Sequence, residues 1–458
     1  VFELDHLEVS ADGTGSSDCG CHVVIVKPFK ICGVTYSEAV AWINALEGRG
    51  WRLGLDRMAE FCRRAGLLQG GPQYVHVAGT NGKGSTTAFL QSLMVAGGYR
   101  TGAFYSPYVV DYRERIQIGR ELISEEDLAA FTEWLIPVAE SMTGTEFEGP
   151  TKFEFEAGLG FLFWAEKQCD WVALEVGLGG RLDATNVVVP AASVIVSIGL
   201  DHVGVLGDSV EKIAGEKAGI VKAGVPVVVG AMDAGSLEVV LGRAEEVGAP
   251  VWRYGAEIWV TGDSGSFEVR TPAGCVSGLR SGIFGEMQPH NAALAIAACQ
   301  LRGVGLSEGQ VREGIASAFA PGRFERVVYR GREMVVDGAH NAQAAESLIR
   351  TLGVTYPGRA IHLVTNTVSG HDQGAFYSAF GGVVERVEVV PIDGPRAIPV
   401  SETVEALSGA FEVRGWATVE EGLAAALDDE GLILVTGSNY LAGEVLRLPG
   451  VTSDRCIR

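Results

Sequence analysis

The chain is short of positive charge. Its 36 basic residues face 57 acidic ones, for a formal net charge of -21, whereas a broad nucleic-acid surface needs Lys and Arg clustered on one face. No nucleic-acid partner is expected, and any contact with phosphate must be local. Long apolar runs are missing as well. The longest, residues 187–200, contains Pro190, Ser193 and Ser197 and falls short of the roughly 20 residues that a membrane span needs. No membrane association is expected. Closely spaced cysteines are absent apart from Cys19-Gly20-Cys21. The 8 cysteines are spread as reduced thiols are, not as a disulfide framework is. The opening "VFELDHLEVS" has no basic segment followed by an apolar one, so no secretory signal is read and a cytoplasmic location is expected.

What is present is a large apolar fraction, 47% of 458 residues, enough for two well-buried cores. Residues 1–33 read as an N-terminal extension: "SADGTGSSDCGCH" has a loop composition, and "VVIVKPF" is one short apolar run. It is a tail, an added strand, or sequence upstream of the natural start. Cys19, Cys21, His22 and Cys32 do not have the spacing of an ordinary zinc site. From Val34 the pattern becomes regular. Helices are expected at "TYSEAVAWINAL" and "GLDRMAEFCRRAGL", then strands at "YVHVAG", "RTGAFYS", "CDWVALEVG", "ASVIVSIGL" and "VPVVVGA", with helices "GSTTAFLQSLMVAGG" and "VEKIAGEKAGIV" among them. Strands rich in Val and Ile that alternate with helices imply a mostly parallel sheet. "VWRYGAEIWVTGDSGSFEVRTP" reads as short antiparallel strands at the far edge. A second alternating series starts at "EMVVDGA" and ends at "LILVTGS", which puts a boundary near Ala320 and two α/β domains at 34–320 and 321–458. Ligands of such sheets bind beyond the carboxyl ends of the strands.

The stretch "HVAGTNGKGSTTAFL" follows one of those strands. A strand that breaks into glycines and then opens a helix presents free N–H groups and a positive helix end to an anion, and Lys83 adds a point charge. It departs from G-x-x-x-x-G-K-[ST], since Val77 holds the first glycine position and Gly84 follows the lysine. By pattern alone the match is weak, and the other reading is a Gly-rich turn that merely links strand to helix. Glu175, at the end of "WVALEV", offers the hard oxygen that phosphate-bound Mg2+ needs. Asp201 and His202 lie just past a third strand, in "SIGLDH". Lys, Glu and His thus end three strands in turn.

These segments, with "SPYVVDYRERIQIG", "EVGLGGRLDATN", "EKAGIVK", "PGRFE", "DGAHN" and "LVTGSNYLAGEV", resemble in order the motif series of the folylpolyglutamate synthase and dihydrofolate synthase family of the Mur ligase superfamily. The resemblance runs from about Val34 to Val445. It implies an α/β fold: a P-loop-containing Mur-ligase-type central domain with a mostly parallel sheet, plus a C-terminal Rossmann-like α/β domain that serves as glutamate ligase domain. It also implies an ATP-dependent ligase that joins L-glutamate to a pteroate or folate carboxylate through an acyl phosphate, acting as a monomer.

By that resemblance Gly79, Thr80, Asn81, Gly82, Lys83, Gly84, Ser85 and Thr86 bind the ATP phosphates. Ser85, Ser106, Glu175 and His202 surround Mg2+, and Lys217 is a lysine the family can carry as a carbamate. Asn291 and Arg323 reach the nucleotide. Asp337 holds the ribose or orients His340, which assists the incoming amine or the phosphate. Taken alone, Asp337 and His340 read as a turn and a cap, and Lys217 as a helix-surface lysine. In "TKFEFEAGLGFLF", Phe153 and Phe155 are either ring-stacking residues for a pterin or core aromatics, and Asp183 is a substrate-side acid. Three departures stand out: Ala342 follows "DGAHN" where the family has Pro, Met287 replaces a histidine in "MQPHNA", and "SGHDQGAF" stands where an Asp-Lys-Asp run is usual. Two other readings are a Mur-type ligase for another carboxylate and a nucleotide switch that makes no bond. "GKGST" and "EVGLGGRLDATN" favour the folate branch.

Overall fold

The computed structural model describes residues 33–453 except 51, 53, 395 and 429. Cys19, Cys21, His22 and Cys32 lie outside the described residues. Eight strands form the first sheet: β1 (Gln73–Ala78), β2 (Thr101–Phe104), β3 (Ile116–Ile118), β4 (Glu121–Leu122), β5 (Trp171–Glu175), β6 (Ala192–Ile195), β7 (Val227–Val229) and β8 (Val251–Arg253). Their order is β4-β3-β2-β5-β1-β6-β7-β8. From β2 to β8 every pair is parallel, and β3 and β4 add an antiparallel edge.

Strands β1 and β5 read as near-continuous apolar runs because helices cover both faces of the sheet. Helices Lys83–Ala96 and Gln288–Leu301 pack together on one face, with Phe89, Leu93 and Leu294 in the core. The aromatic helix Lys152–Glu166 lies on the other, over Phe104 and Leu174.

The segment expected to be antiparallel throughout is not. Val251–Arg253 pairs parallel with β7 and extends the main sheet. Only β9 (Trp259–Asp263), β10 (Ser266–Thr271) and β11 (Gly274–Leu279) form a separate antiparallel sheet. A three-residue strand shows no period of its own, so its direction is decided by the helix Ala234–Glu246 that delivers it.

The second sheet has seven strands: β12 (Glu325–Tyr329), β13 (Arg332–Val336), β14 (Ile361–Thr365), β15 (Val384–Val389), β16 (Glu412–Gly415), β17 (Leu432–Thr436) and β18 (Val451–Ser453), in the order β16-β15-β14-β17-β13-β12-β18. The five strands from β16 to β13 are parallel, and β12 is a hairpin partner of β13. Separate apolar clusters cover its two faces, one around Met334, Val364 and Leu441 and one around Val335, Leu363 and Phe376. Both domains are thus α/β with mostly parallel sheets, as expected. Among the described residues no helix is long and apolar enough to cross a membrane.

Candidate active site

Strand β1 ends at Ala78, and the chain then turns through residues 79–82 into the helix Lys83–Ala96. The loop is tightly fitted. A side chain at Gly79 would lie 3.1 Å from Val196 Cβ, and one at Gly82 would meet Asn291 Oδ1 at 2.7 Å, on a backbone with φ of +80° that already favours glycine. The loop is also tied to the one after β6. Thr80 N donates to Ser197 O (2.8 Å), Asn81 N to Ser197 Oγ (3.0 Å), and Gly199 N to Thr80 Oγ1 (3.0 Å). That second loop continues to Asp201 and His202, so the two strand ends are held as one unit.

Two lysines converge on the loop. Lys83 Nζ donates to the carbonyls of Gly79 (3.1 Å) and Thr80 (3.3 Å), and Lys217 Nζ donates to the same Gly79 carbonyl at 3.0 Å. Lys217 is only 4% exposed, on the helix Val210–Ala218, and is not a helix-surface lysine. Burial and then the neighbouring Lys83 charge pull its ammonium down to about 7. Glu175, at the end of β5 and 5% exposed, faces the start of the helix Lys83–Ala96: a side chain at Gly84 would lie 3.5 Å from its Oε2. Ser106 N donates to that oxygen at 3.2 Å. Burial pushes the Glu175 carboxyl up to about 7, against the opposing pull of Lys83. Ser85 and Thr86 are buried in the first helical turn.

The second domain closes over this loop. Asn341, after β13, donates from Nδ2 to Asn81 Oδ1 (3.0 Å), while Asn81 Nδ2 donates to Asn341 Oδ1 (3.2 Å) and Gln343 Oε1 (3.0 Å). Asp337 directly follows the same strand. Its carboxylate accepts from Phe324 N (2.7 Å) and Ala339 N (2.8 Å), which fastens the interdomain segment to the sheet. It therefore does not orient His340, whose Nδ1 lies 2.8 Å from Gly338 O. Arg323 Nη1 donates to Asn439 Oδ1 (3.0 Å) over Gly338.

At the base of the cleft, His371 Nδ1 bonds Asp201 Oδ1 at 2.8 Å. The His371 ring stands 5.0 Å from that of His202 and 4.8 Å from that of His340, centroid to centroid. His202 holds a left-handed backbone, φ +49°, of the kind that clusters at functional sites. Burial lowers both His202 and His340 to about 4.

Most of the residues singled out in the sequence meet here, and three do not. Phe155 is fully buried between Trp42 (4.9 Å between centroids) and Phe61 (5.9 Å), so it is a core aromatic and cannot stack on a ligand. Phe153 is half-buried and covers Gly177 in the loop after β5. Asp183 spends its carboxylate on that loop, accepting from Leu178 N (2.9 Å), Thr185 N (3.0 Å) and Thr185 Oγ1. Conversely, Asn341, Gln343, Asn439 and His371 were not singled out. Each follows a strand of the second series, and that position is the signal that could have found them.

The family model for the Mur ligase middle domain matches residues 77–299, and that for the Mur ligase glutamate ligase domain matches residues 322–439. The dihydrofolate synthase/folylpolyglutamate synthase of Bacillus subtilis is 32% identical over 426 residues, covering 90% of this chain and 98% of its own. That of Escherichia coli is 33% identical over 90% of this chain and 96% of its own. Among solved structures, Mycobacterium tuberculosis folylpolyglutamate synthase complexed with ADP and AMPPCP superposes with a TM-score of 0.85 at 29% identity, covering 92% of this chain and all of that one (100%). Escherichia coli FolC in complex with DHPP and ADP gives 0.81 at 32%, over 89% and 96%. Fold and site together define an ATP-dependent ligase of the Mur type. Within that class, the chain belongs to the folylpolyglutamate synthase/dihydrofolate synthase family.

Proposed function

We propose that this chain joins L-glutamate to the carboxylate of a pteroate or folate at the expense of ATP, as a monomer in the cytoplasm, with its two domains meeting near Ala320. One observation carries the reading: the loop 79–82 is bonded at once by Lys217 of its own domain and by Asn341 of the other. Both halves of the cleft come from one chain, so no second copy is needed.

A carboxylate is a poor electrophile. Its oxygen first attacks the γ-phosphorus of ATP and ADP leaves. The glutamate amine then attacks the carbonyl carbon of the acyl phosphate, releasing phosphate and one proton from nitrogen. In this reading the N–H groups of Gly82, Lys83, Gly84 and Ser85, with the Lys83 ammonium, hold the phosphates. Asn291 lies against the loop on the nucleotide side, and Arg323 approaches from the interdomain segment. Asp337, by fastening that segment, places Arg323. His340, kept neutral by burial and with Nδ1 tied to Gly338 O, keeps Nε2 to take the proton from the amine.

Glu175, Ser85, Ser106 and His202 are the groups that would hold Mg2+, an oxygen-rich set that suits a hard dication. Mg2+, when bound, supplies charge neutralisation on the phosphates. Lys217 favours carbamate formation, since its lowered pKa gives a free amine pair. Its Nζ would bond to the carbon of CO2 with loss of one proton, and the new negative charge would replace the repulsion from Lys83. Phe153 and the loop held by Asp183 border the acceptor side.

The test is incubation with MgATP and radiolabelled glutamate, with dihydropteroate or tetrahydrofolate as acceptor and Lys83→Ala as control. Label is expected in one or both acceptors, with at least about a hundredfold loss in the variant, or about 2.7 kcal/mol of transition-state stabilisation. Transfer to neither, with ATP binding intact, refutes the folate reading and directs the search to another carboxylate.

A further inference from the structure

The ligase reading gives no role to two residues of the cleft, Asp201 and His371, which stand beside His202. Asp201 and His202 come from the loop after β6, and His371 from the loop after β14, so one small cluster draws on both domains. A ligand atom from each lies within 4.8 Å of the others. His371 Nδ1 is 2.8 Å and His202 Nε2 4.0 Å from the same oxygen, Asp201 Oδ1. We propose that Asp201, His202 and His371 form a binding site for a transition-metal dication of the Zn2+ type, which bridges the two domains.

The donor chemistry distinguishes this site from that of Mg2+. Two imidazoles and one carboxylate with an open position are a common zinc set, and imidazole selects Zn2+, Co2+ and Ni2+ over hard cations. Geometry agrees. Tetrahedral zinc with ligands at about 2.0–2.1 Å separates its donor atoms by roughly 3.4 Å. The distances here fall on either side of that value, so short movements of side chains suffice. A cation would take the place of the direct contact between His371 Nδ1 and Asp201 Oδ1. The carboxylate is already aimed, because His202 N donates to Asp201 Oδ1 at 2.9 Å. Asp201 and His371 are 9% and 6% exposed in their side chains and His202 is 24% exposed, so solvent reaches the cluster from the His202 side.

A cation held there pins the second domain to the loop after β6. It also withdraws His202 from the phosphate-side metal, so Zn2+ should inhibit where Mg2+ activates. This consequence rests on the proposed ligase activity, whereas binding itself does not.

The experiment uses the full chain, stripped with chelator and titrated with Co2+ as an optical probe. One Co2+ per chain is expected, with tetrahedral d–d bands and no thiolate charge-transfer band. His371→Ala and Asp201→Asn should each weaken binding by roughly tenfold or more, whereas Glu175→Gln should retain it. Zn2+ should raise the thermal midpoint of the wild type and not that of His371→Ala. Absence of binding, a thiolate band, or unchanged affinity in His371→Ala overturns the site. Ligation assays with MgATP on the stripped protein, before Co2+ is added, separate the two readings: Co2+ binding in a protein that ligates glutamate to no folate acceptor refutes the ligase reading alone, and ligation without Co2+ binding refutes the site alone.

Discussion

His76 illustrates how a single residue near the glycine loop 79–82 couples stability to pH. It lies in the middle of β1, fully buried, with Nε2 2.8 Å from Thr185 Oγ1, and burial lowers its pKa to about 3. The folded value is below the unfolded one of about 6.5. The stability of the neutral ring is therefore fully present above about pH 6.5 and is lost as pH falls toward 3, by on the order of 5 kcal/mol in all. Urea unfolding of His76→Gln should show a flatter dependence of stability on pH between about 6.5 and 4 than the wild type, whatever its absolute stability. Gly338 makes a different point. A methyl group there would collide with Asn439 Oδ1 and lie 2.6 Å from Arg323 Nη1. Gly338→Ala should dislodge that pair and lower kcat/KM for ATP by about tenfold or more, about 1.4 kcal/mol, in steady-state assays. The glycine of "DGAH" was visible in the sequence, but the two side chains that require it come from positions far apart in the chain.

At the scale of elements, the helix Lys152–Glu166 shows which local signals can be trusted. Thr151 N donates to Glu154 Oε2 (2.7 Å) and Thr151 Oγ1 accepts from Glu154 N (3.3 Å), a capping box written in four consecutive residues. Glu154 Oε2 also accepts from Arg57 Nε at 2.7 Å, which joins this helix to Asp56–Arg64. Thr151→Ala should cost about 1 kcal/mol in urea unfolding, and Thr151→Ser most of that less. The cap of this helix is written in four consecutive residues, but the separate fates of Phe153 and Phe155 are not. Two residues apart on a helix they face different neighbours, and only packing against Trp42 and Phe61 closes Phe155 to ligands. Strand β8 was misread for a related reason, as its three residues are too few to show a period.

At the scale of the molecule, the two domains meet through polar contacts at the loop 79–82, while away from it Val109 packs into the apolar cluster of the second sheet. Each hydrogen bond there is worth about 1 kcal/mol net, so the clasp of Asn81 with Asn341 and Gln343 is strong enough to bias closure and weak enough to open. Asn341 also caps the helix Ala342–Thr355, through Ala344 N at 3.0 Å. Asn341→Ser keeps a capping oxygen and cannot span to Asn81. It should leave the unfolding midpoint nearly unchanged while raising KM for ATP by about fivefold, and small-angle scattering should report a larger radius of gyration.

Sequence alone determined the alternation of strands and helices, the glycine turn that opens a helix, and the placing of Lys83, Glu175 and His202 after strands. These follow from short-range rules: apolar periodicity, capping and the backbone freedom of glycine. Tertiary structure decided which strand ends lie side by side, because the order of parallel strands is set by crossovers that leave no mark in any one segment. It also decided that Lys217 is buried against Gly79, that Asp183 serves its own loop, and that His371 reaches Asp201 across 170 residues of chain. Each of these depends on contacts between distant segments, and burial and electrostatic coupling exist only once those contacts form.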